Sequence, residues 1–424
     1  MLGVLPLRWV ARLKNGGVTN QFIMATMVTI PALNFGMLMG WQSPMTPILQ
    51  SAEGPAPEPI SDETISWMAA ITFMPPIFCG FMVGDLADRW GRKFTTMLTA
   101  LMLVASWSIT LFSLRPWALI TSRAVAGLAC AGCYVVIPLY LKEEARAALA
   151  WLRNTTTDDK DLEEAIQQLE REEEHARSMK KATWKSIVQD KTTFKAFRIS
   201  LNVMLSQETC GYLVVLMYAG SIFERASESI SLKLSPNKQT IVVGAIQMLG
   251  SVVASCIVEQ TGRKWLLAGT SFATGVSMLA LGAWFYITSM NIWLPGWLPV
   301  LAMCLCIFAD AAGYQPVPYV ITSELFSFQH RGMVTSFVSS VDALSDFLQT
   351  KAYDPLLKLL GIHWVFIMFS VVCFLGTFYT VMWVPETKDK TVEEIYALLE
   401  ESRKKEKRKE VNKDLESGKE MSRL

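Results

Sequence analysis

Apolar residues in this chain gather into long runs separated by short polar turns. Runs of roughly 20 apolar residues have the length a helix needs to cross a bilayer. Such spans are predicted at 20–41, 65–84, 95–113, 117–141, 197–220, 239–258, 266–288, 296–321, 333–352 and 363–384. The fold class expected is therefore an all-α polytopic membrane protein of about ten spans. Charge is scarce inside the runs and dense at 142–195 and 385–424. The expected division is a cytoplasmic N-terminus (1–19), a first helix bundle (20–141), a cytoplasmic linker with short helices (142–195), a six-helix second bundle (196–384) and a cytoplasmic tail (385–424). Within the linker, Leu162, Ala165, Ile166 and Leu169 have amphipathic helical spacing. Residues 400–424, mostly Lys, Arg, Glu and Ser, read as a solvated tail.

The turn Gly84-Asp85-Leu86-Ala87-Asp88-Arg89-Trp90-Gly91-Arg92-Lys93 lies between two apolar runs, and its charges place it at the water interface. A weaker copy, Glu259-Gln260-Thr261-Gly262-Arg263-Lys264, lies between two runs of the second half, so an internal repeat is expected. Lys and Arg set the orientation. The N-terminal segment carries Arg8, Arg12 and Lys14, the 42–64 loop carries neither Lys nor Arg, and the next turn carries Arg89, Arg92 and Lys93. By the positive-inside bias both termini are cytoplasmic; Arg225, Lys233 and Lys238 in the 221–238 loop run against that alternation. The first run is full length with no cleavage pattern and reads as a retained span.

With a formal net charge of +1, the chain gives no reason to expect a nucleic-acid partner. The eight cysteines all fall inside predicted spans and read as small packing residues; the Cys130–Cys133 spacing lies in a membrane helix and is not taken as a redox motif. His175, His330 and His363 are scattered, so no catalytic residue, metal or cofactor is expected. The glycosylation acceptor Asn154-Thr155-Thr156 falls on the cytoplasmic side and is expected to be unused.

Polar residues inside the spans carry the candidate chemistry. Gln207, Gly211 and Tyr218 fall near one helical face, which points to the bundle interior, where it serves either a cavity or interhelical hydrogen bonds. Pro316 and Pro318 each remove a helix hydrogen bond, which marks either a cavity-lining break or a packing kink. Arg123, a cation within a span, calls for a partner.

Several stretches resemble the sugar porter family of the major facilitator superfamily. They are Gly84–Lys93; Arg123-Ala124-Val125-Ala126-Gly127; Gln207-Glu208-Thr209-Cys210-Gly211 with Tyr218 and Ile222-Phe223; Gly313-Tyr314-Gln315-Pro316-Val317-Pro318-Tyr319; Ser323-Glu324-Leu325-Phe326 with Arg331-Gly332; and Pro385-Glu386-Thr387-Lys388 with Glu393-Glu394-Ile395. Gly40-Trp41-Gln42-Ser43-Pro44 and Glu144–Arg153 look like the insect trehalose-transporter branch. The resemblance implies a plasma-membrane carrier that moves a small neutral sugar, trehalose or a hexose, by alternating access. It implies substrate contacts at Gln207, Glu208, Gly211, Tyr218, Pro316, Pro318, Tyr319 and Asp342. It also implies a gating network at the cytoplasmic helix ends, from Asp88, Arg89, Gly91, Arg92 and Arg123 in one half and Glu259, Gly262, Arg263, Glu324, Arg331 and Glu386 in the other.

The family fold has twelve helices in two six-helix halves, and this sequence departs from it. Pro138–Glu143 runs straight into Glu144–Arg153: Pro138, Tyr140 and Glu143 fit the end of the fourth helix, Pro138, Leu141 and Lys142 fit equally the start of the segment after the sixth, and either way the fifth and sixth helices are absent. At binding positions the family's second glutamine is Glu208, an asparagine is Leu213, a tryptophan is Tyr319 and an asparagine–tryptophan pair is Asp342-Ala343. Span 20–41 lacks the acid of proton-coupled relatives, which favours uniport; Glu208, Asp310, Asp342 and Asp346 leave coupling open. Two other readings stand beside the carrier: a sugar-binding sensor that does not transport, and an inactive truncated isoform or gene model.

Overall fold

The structure, a computed structural model, describes residues 16–140, 184–227 and 236–401. The Asn154 acceptor, the Leu162–Leu169 stripe, the junction after Tyr140 and residues 402–424 lie outside the described residues. The chain divides into two compact units, Met1–Lys180 and Lys181–Leu424. All regular structure among the described residues is helical.

In the first unit, α1 spans Gly16–Gln50 and runs nine residues past the predicted span, with Pro31, Pro44 and Pro47 inside it. In its polar extension the Gln42 amide donates to the Ile65 carbonyl of the next helix and Thr46 Oγ1 donates to the Gln42 carbonyl at 2.9 Å. The predicted span 65–84 is two helices, α2 (Asp62–Ile71) and α3 (Met74–Trp90). Pro75 and Pro76 cause the split, because a residue without an N–H fits only the first turn of a new helix. Helix α4 covers Arg92–Phe112 and α5 covers Pro116–Tyr140. Gly127 of α5 lies against this break: a Cβ there would come 2.2 Å from the Thr72 carbonyl oxygen. The glycine of the Arg123–Gly127 motif is thus fixed by close packing.

The second unit holds α6 (Trp184–Gln189), α7 (Lys191–Glu208), α8 (Tyr212–Ser227), α9 (Pro236–Thr261), α10 (Arg263–Ser289), α11 (Trp297–Ala309), α12 (Pro316–Leu325), α13 (Phe328–Leu360) and α14 (Ile362–Trp383). The predicted span 197–220 is broken between α7 and α8 at Gly211, whose φ of +89° is open to glycine. The Phe369 ring fills the space a side chain would need, with Cδ2 2.4 Å from a would-be Cβ. The face that was to join Gln207 to Tyr218 is therefore not one continuous helix.

Span 296–321 breaks too, one turn before the prolines. Residues Asp310–Tyr314 form a π-turn, closed by the Gln315 N–H donating to the Asp310 carbonyl at 2.9 Å. Pro316 then opens α12, where its missing N–H costs nothing. Six segments among the described residues are long and apolar enough to cross a membrane: Lys93–Phe112, Lys191–Ala219, Ile241–Thr261, Arg263–Ser289, Trp297–Leu325 and Ile362–Trp383. The predicted spans 20–41, 65–84, 117–141 and 333–352 are helical without meeting that measure among the described residues; 65–84 is broken, and Asp342, Asp346 and Lys351 interrupt the apolar run of 333–352.

The two turns expected to repeat share a backbone conformation, one that Gly361 before α14 also adopts. Gly91 (φ 87°, ψ 152°) caps α4 and Gly262 (φ 85°, ψ 156°) caps α10. Both lie in a region of backbone space essentially reserved for glycine. Beyond α14, Thr391 and Glu394 form a reciprocal cap, each side chain accepting from the other's N–H at 3.3 and 2.9 Å, and residues 392–401 are helical. Ile395 and Leu399 of that helix are buried, so the beginning of the tail is packed.

Candidate functional site

The charged turn at Gly262 is a closed network. Arg263, 7 % exposed, reaches Glu324 at 2.9 Å and Glu259 at 3.3 Å. Glu386 accepts from the backbone N–H groups of Arg263 (2.8 Å) and Lys264 (3.3 Å), a carboxylate cap on the positive end of α10. The same carboxylate accepts from the Thr387 and Lys388 N–H groups, and Thr387 Oγ1 donates to Glu324. A Cβ at Gly262 would meet Glu386 Oε2 at 2.7 Å, so the glycine is required by contact as well as by φ.

Not every expected member joins. Arg331 donates to the Phe326 carbonyl at 3.2–3.3 Å and so caps the end of α12 rather than pairing with a carboxylate. In the first unit Gly91 keeps the turn geometry, while the side chains of Asp88 and Arg92 lie outside the described set. Arg123, 4 % exposed, donates to the Leu38 carbonyl and lies 5.0 Å from the Trp41 ring centre. Among the described residues its partners are thus a carbonyl and an aromatic face, both of which attract a cation.

A second polar group lies deep in the spans of the second unit. Gln207, 0 % exposed, has neither amide atom hydrogen-bonded among the described residues. Glu208, 3 % exposed, lies near Asp342 and Asp346. Tyr319 donates its hydroxyl to Asp342 Oδ2 at 3.0 Å, and Gln349 Nε2 donates to the Glu208 carbonyl at 2.8 Å. Glu208 Oε2, Asp342 Oδ1, Asp346 Oδ1 and Gln349 Oε1 are buried without a hydrogen-bond donor among the described residues. No Lys, Arg or His pairs with these three carboxylates among the described residues, and no group of His, Cys, Asp or Glu there is arranged to hold a metal ion.

The remaining predicted contacts divide. Tyr218 is buried against Tyr353, ring centres 4.6 Å apart. Gly211 and Pro316 shape the backbone, and the Pro318 carbonyl accepts from Thr322 Oγ1. Gln349 and Tyr353 were not foreseen as site residues, and Asp346 was singled out only as an acid that leaves coupling open. Their signal was present: 342, 346, 349 and 353 repeat at i, i+4, i+7 and i+11, a polar stripe along α13. The Tyr212 hydroxyl, accepting from Gln315 Nε2 at 3.0 Å, was also missed.

Long apolar helices with a polar cluster inside the spans of the second unit define a multi-pass membrane protein. Residues 20–148 and 141–399 match the family model described as "Sugar (and other) transporter", and the chain belongs to that family. It is 28% identical over 456 aligned residues to the facilitated glucose transporter member 8 of solute carrier family 2 from Bos taurus, covering 89% of this chain and 94% of the relative. It is 23% identical over 448 residues to the facilitated trehalose transporter Tret1 of Bombyx mori, covering 88% and 86%. Among solved structures, the inward open xylose transporter XylE from E. coli superposes with a TM-score of 0.69 at 18% identity, covering 89% of this chain and 99% of that one. That likeness establishes the fold.

Proposed function

We propose that this chain carries a small neutral sugar, trehalose or a hexose, down its gradient across the plasma membrane, with both termini in the cytoplasm. The observation that supports this most is a set of polar groups in the spans of the second unit: buried Gln207 and Glu208, and half-buried Asp342 with the Tyr319 hydroxyl on it. Buried polar atoms are normally hydrogen-bonded, and those left without protein partners are candidates for a ligand's hydroxyls. An amide both donates and accepts, a carboxylate accepts and a tyrosine hydroxyl does both, which together match a polyol. Glucose and trehalose are what the named relatives carry. The Arg263–Glu324–Glu386 network acts as the latch at the cytoplasmic end of the second unit, opening and closing as the carrier changes state.

We also infer that the first half is two helices short of the family's twelve. The alignment to the bovine relative has 456 positions, more than the 424 residues of this chain, and the family model matches in two pieces that overlap at 141–148. Both features fit a junction after Tyr140 at which relatives have additional sequence.

Reconstitution of the purified full chain in liposomes tests the carrier reading. Labelled glucose or trehalose should enter saturably and stop at equal concentration on both sides. Uphill accumulation under an imposed pH gradient would replace uniport by proton coupling. Saturable binding with no flux would make the protein a sensor.

A further inference from the structure

Four acids meet inside the spans of the second unit. Glu208 ends α7, Asp342 and Asp346 lie one turn apart on α13, and Asp310 opens the π-turn before α12. Glu208 lies near both acids of α13, and Asp310 lies near Asp346. Glu208, Asp310 and Asp346 are buried and Asp342 is half-buried. Each keeps one buried carboxylate oxygen, Glu208 Oε2 and the Oδ1 atoms of the aspartates, without a hydrogen-bond donor among the described residues. No Lys, Arg or His forms an ion pair with any of the four among the described residues.

The acids call for more than a neutral polyol supplies. A hydroxyl has one proton to donate and lone pairs of its own to satisfy, whereas an ionised carboxylate only accepts. A hydroxyl also brings no charge, and buried charges are normally paired. A primary ammonium group brings three donors, no acceptor and one positive charge. Its hydrogen bonds to carboxylates are of the short, charge-assisted kind. A metal ion finds no arranged ligand set among the described residues. Two of the acids, Glu208 and Asp342, stand where the family that the chain resembles has a glutamine and an asparagine. Each exchange replaces an amide, which donates and accepts, by a group that accepts and carries charge.

Uncharged polar groups beside the acids are also without partners. Gln207, next to Glu208 at the end of α7, is wholly buried with neither amide atom hydrogen-bonded among the described residues. Thr350, one turn beyond Asp346 on α13, is wholly buried with no partner for its hydroxyl among them. A helical threonine ordinarily bonds the carbonyl one turn back. Thr46, Thr99 and Thr322 do so at 2.8–2.9 Å, and Thr350 does not. Groups that both donate and accept, as ring hydroxyls require, thus adjoin groups that only accept.

We propose that Glu208, Asp342 and Asp346 form a subsite for a primary ammonium group, and that the chain carries amino sugars in addition to neutral ones. The sugar frame rests on the carrier reading above; the ammonium subsite does not. The ammonium group lies among the three carboxylates, and ring hydroxyls meet Gln207 and Thr350.

The test measures direct binding to the purified full chain in detergent at neutral pH, where the amine is protonated. The probes are glucose, its 2-amino-2-deoxy, 3-amino-3-deoxy and 6-amino-6-deoxy derivatives, and the N-acetyl form of each amine. At least one amino sugar should bind about tenfold tighter than glucose, and its N-acetyl form should lose that advantage. Asp346→Asn, which removes one charge at nearly constant shape, should cut the ratio of amino-sugar to glucose affinity about fivefold. Glu393→Gln, exposed on the helix beyond α14, should leave the ratio unchanged. Glucose binding with no gain for any amine would overturn the subsite and leave the carrier reading standing; that comparison needs only the unchanged chain. An equal fall of the ratio in the two variants would overturn it as well. Binding of the amino sugars and of cyclohexylamine alike, with none of glucose, would refute the sugar reading and leave the ammonium subsite. Binding of neither glucose nor any amine would overturn both.

Discussion

Two polar regions of the second unit, both touching α12, are built on opposite principles. At the Gly262 turn each carboxylate is occupied: Glu386 takes four backbone N–H groups, and Glu324 takes Arg263 and Thr387. In mid-span, Gln207, Glu208, Asp342 and Asp346 have buried atoms that meet no donor or acceptor among the described residues. The first arrangement stabilises a conformation. The second costs stability, because a buried polar atom without a partner forfeits about 1–3 kcal/mol, and that cost is what a ligand with hydroxyl groups relieves. Both regions are charged, and the pairing is what separates the proposed latch from the proposed binding site.

The contrast gives opposite signs for mutations in the two regions. Arg263→Ala should have the largest effect. It leaves Glu324, a quarter exposed, without its cation. The expected loss is about 3 kcal/mol, at the low end of the range for breaking a buried pair, with the 71 % exposed Glu259 adding little. Thermal unfolding in detergent should move down by several degrees, and uptake should fall with it. An unchanged melting temperature would show that the network is a solvated surface feature.

Next come the two turn glycines. Gly262→Ala and Gly91→Ala each force a side chain into glycine-only backbone, at about 1–3 kcal/mol. Gly262→Ala must also displace Glu386 from the α10 cap, whereas a Cβ at Gly91 meets nothing within 4 Å. The second-half variant should therefore melt lower than the first-half one. Equal losses would mean that strain alone, and not the cap, holds the turn.

Much of this was legible in the sequence. Helical class, the paired turns and the polar span positions follow from apolar run length, repeated Gly-Arg-Lys and the placement of amides and acids. What was not legible depends on atoms far apart in the chain. The prolines at 316 and 318 signalled a break, but its position at Asp310–Tyr314 was set by the Gln315 N–H finding the Asp310 carbonyl. Gly211 read as part of a binding face, and its role as the contact point of Phe369 needed the fold. Arg331 carries the same charge as Arg263, yet one caps a carbonyl and the other joins carboxylates, a difference of position with no local sequence signal.

In the proposed binding region the expected sign reverses. Gln207→Leu replaces an amide with no hydrogen-bond partner by an apolar side chain of similar size, so the protein should melt higher, by about 1–2 kcal/mol. Its sugar affinity should fall about tenfold, the worth of one or two lost hydrogen bonds. Higher stability with weaker uptake is the signature of a group held ready for a ligand. A lower melting temperature would instead assign Gln207 to an interhelical contact, and the region would cease to differ from the latch.

Tyr319→Phe should give the smallest change and the most direct view of how the regions connect. Tyr319 and Glu324 lie five residues apart on α12, the first donating to Asp342 at 3.0 Å and the second holding Arg263. Removing the hydroxyl takes away one donor from a carboxylate that already lacks a second, worth about 0.5–1.5 kcal/mol. A neutral sugar hydroxyl can replace that donor, so the variant should lose more stability when empty than when sugar is present. Sugar should therefore raise the melting temperature of Tyr319→Phe more than that of the unchanged chain. If it raises both equally, Asp342 does not meet the ligand, and α12 reports on the latch alone.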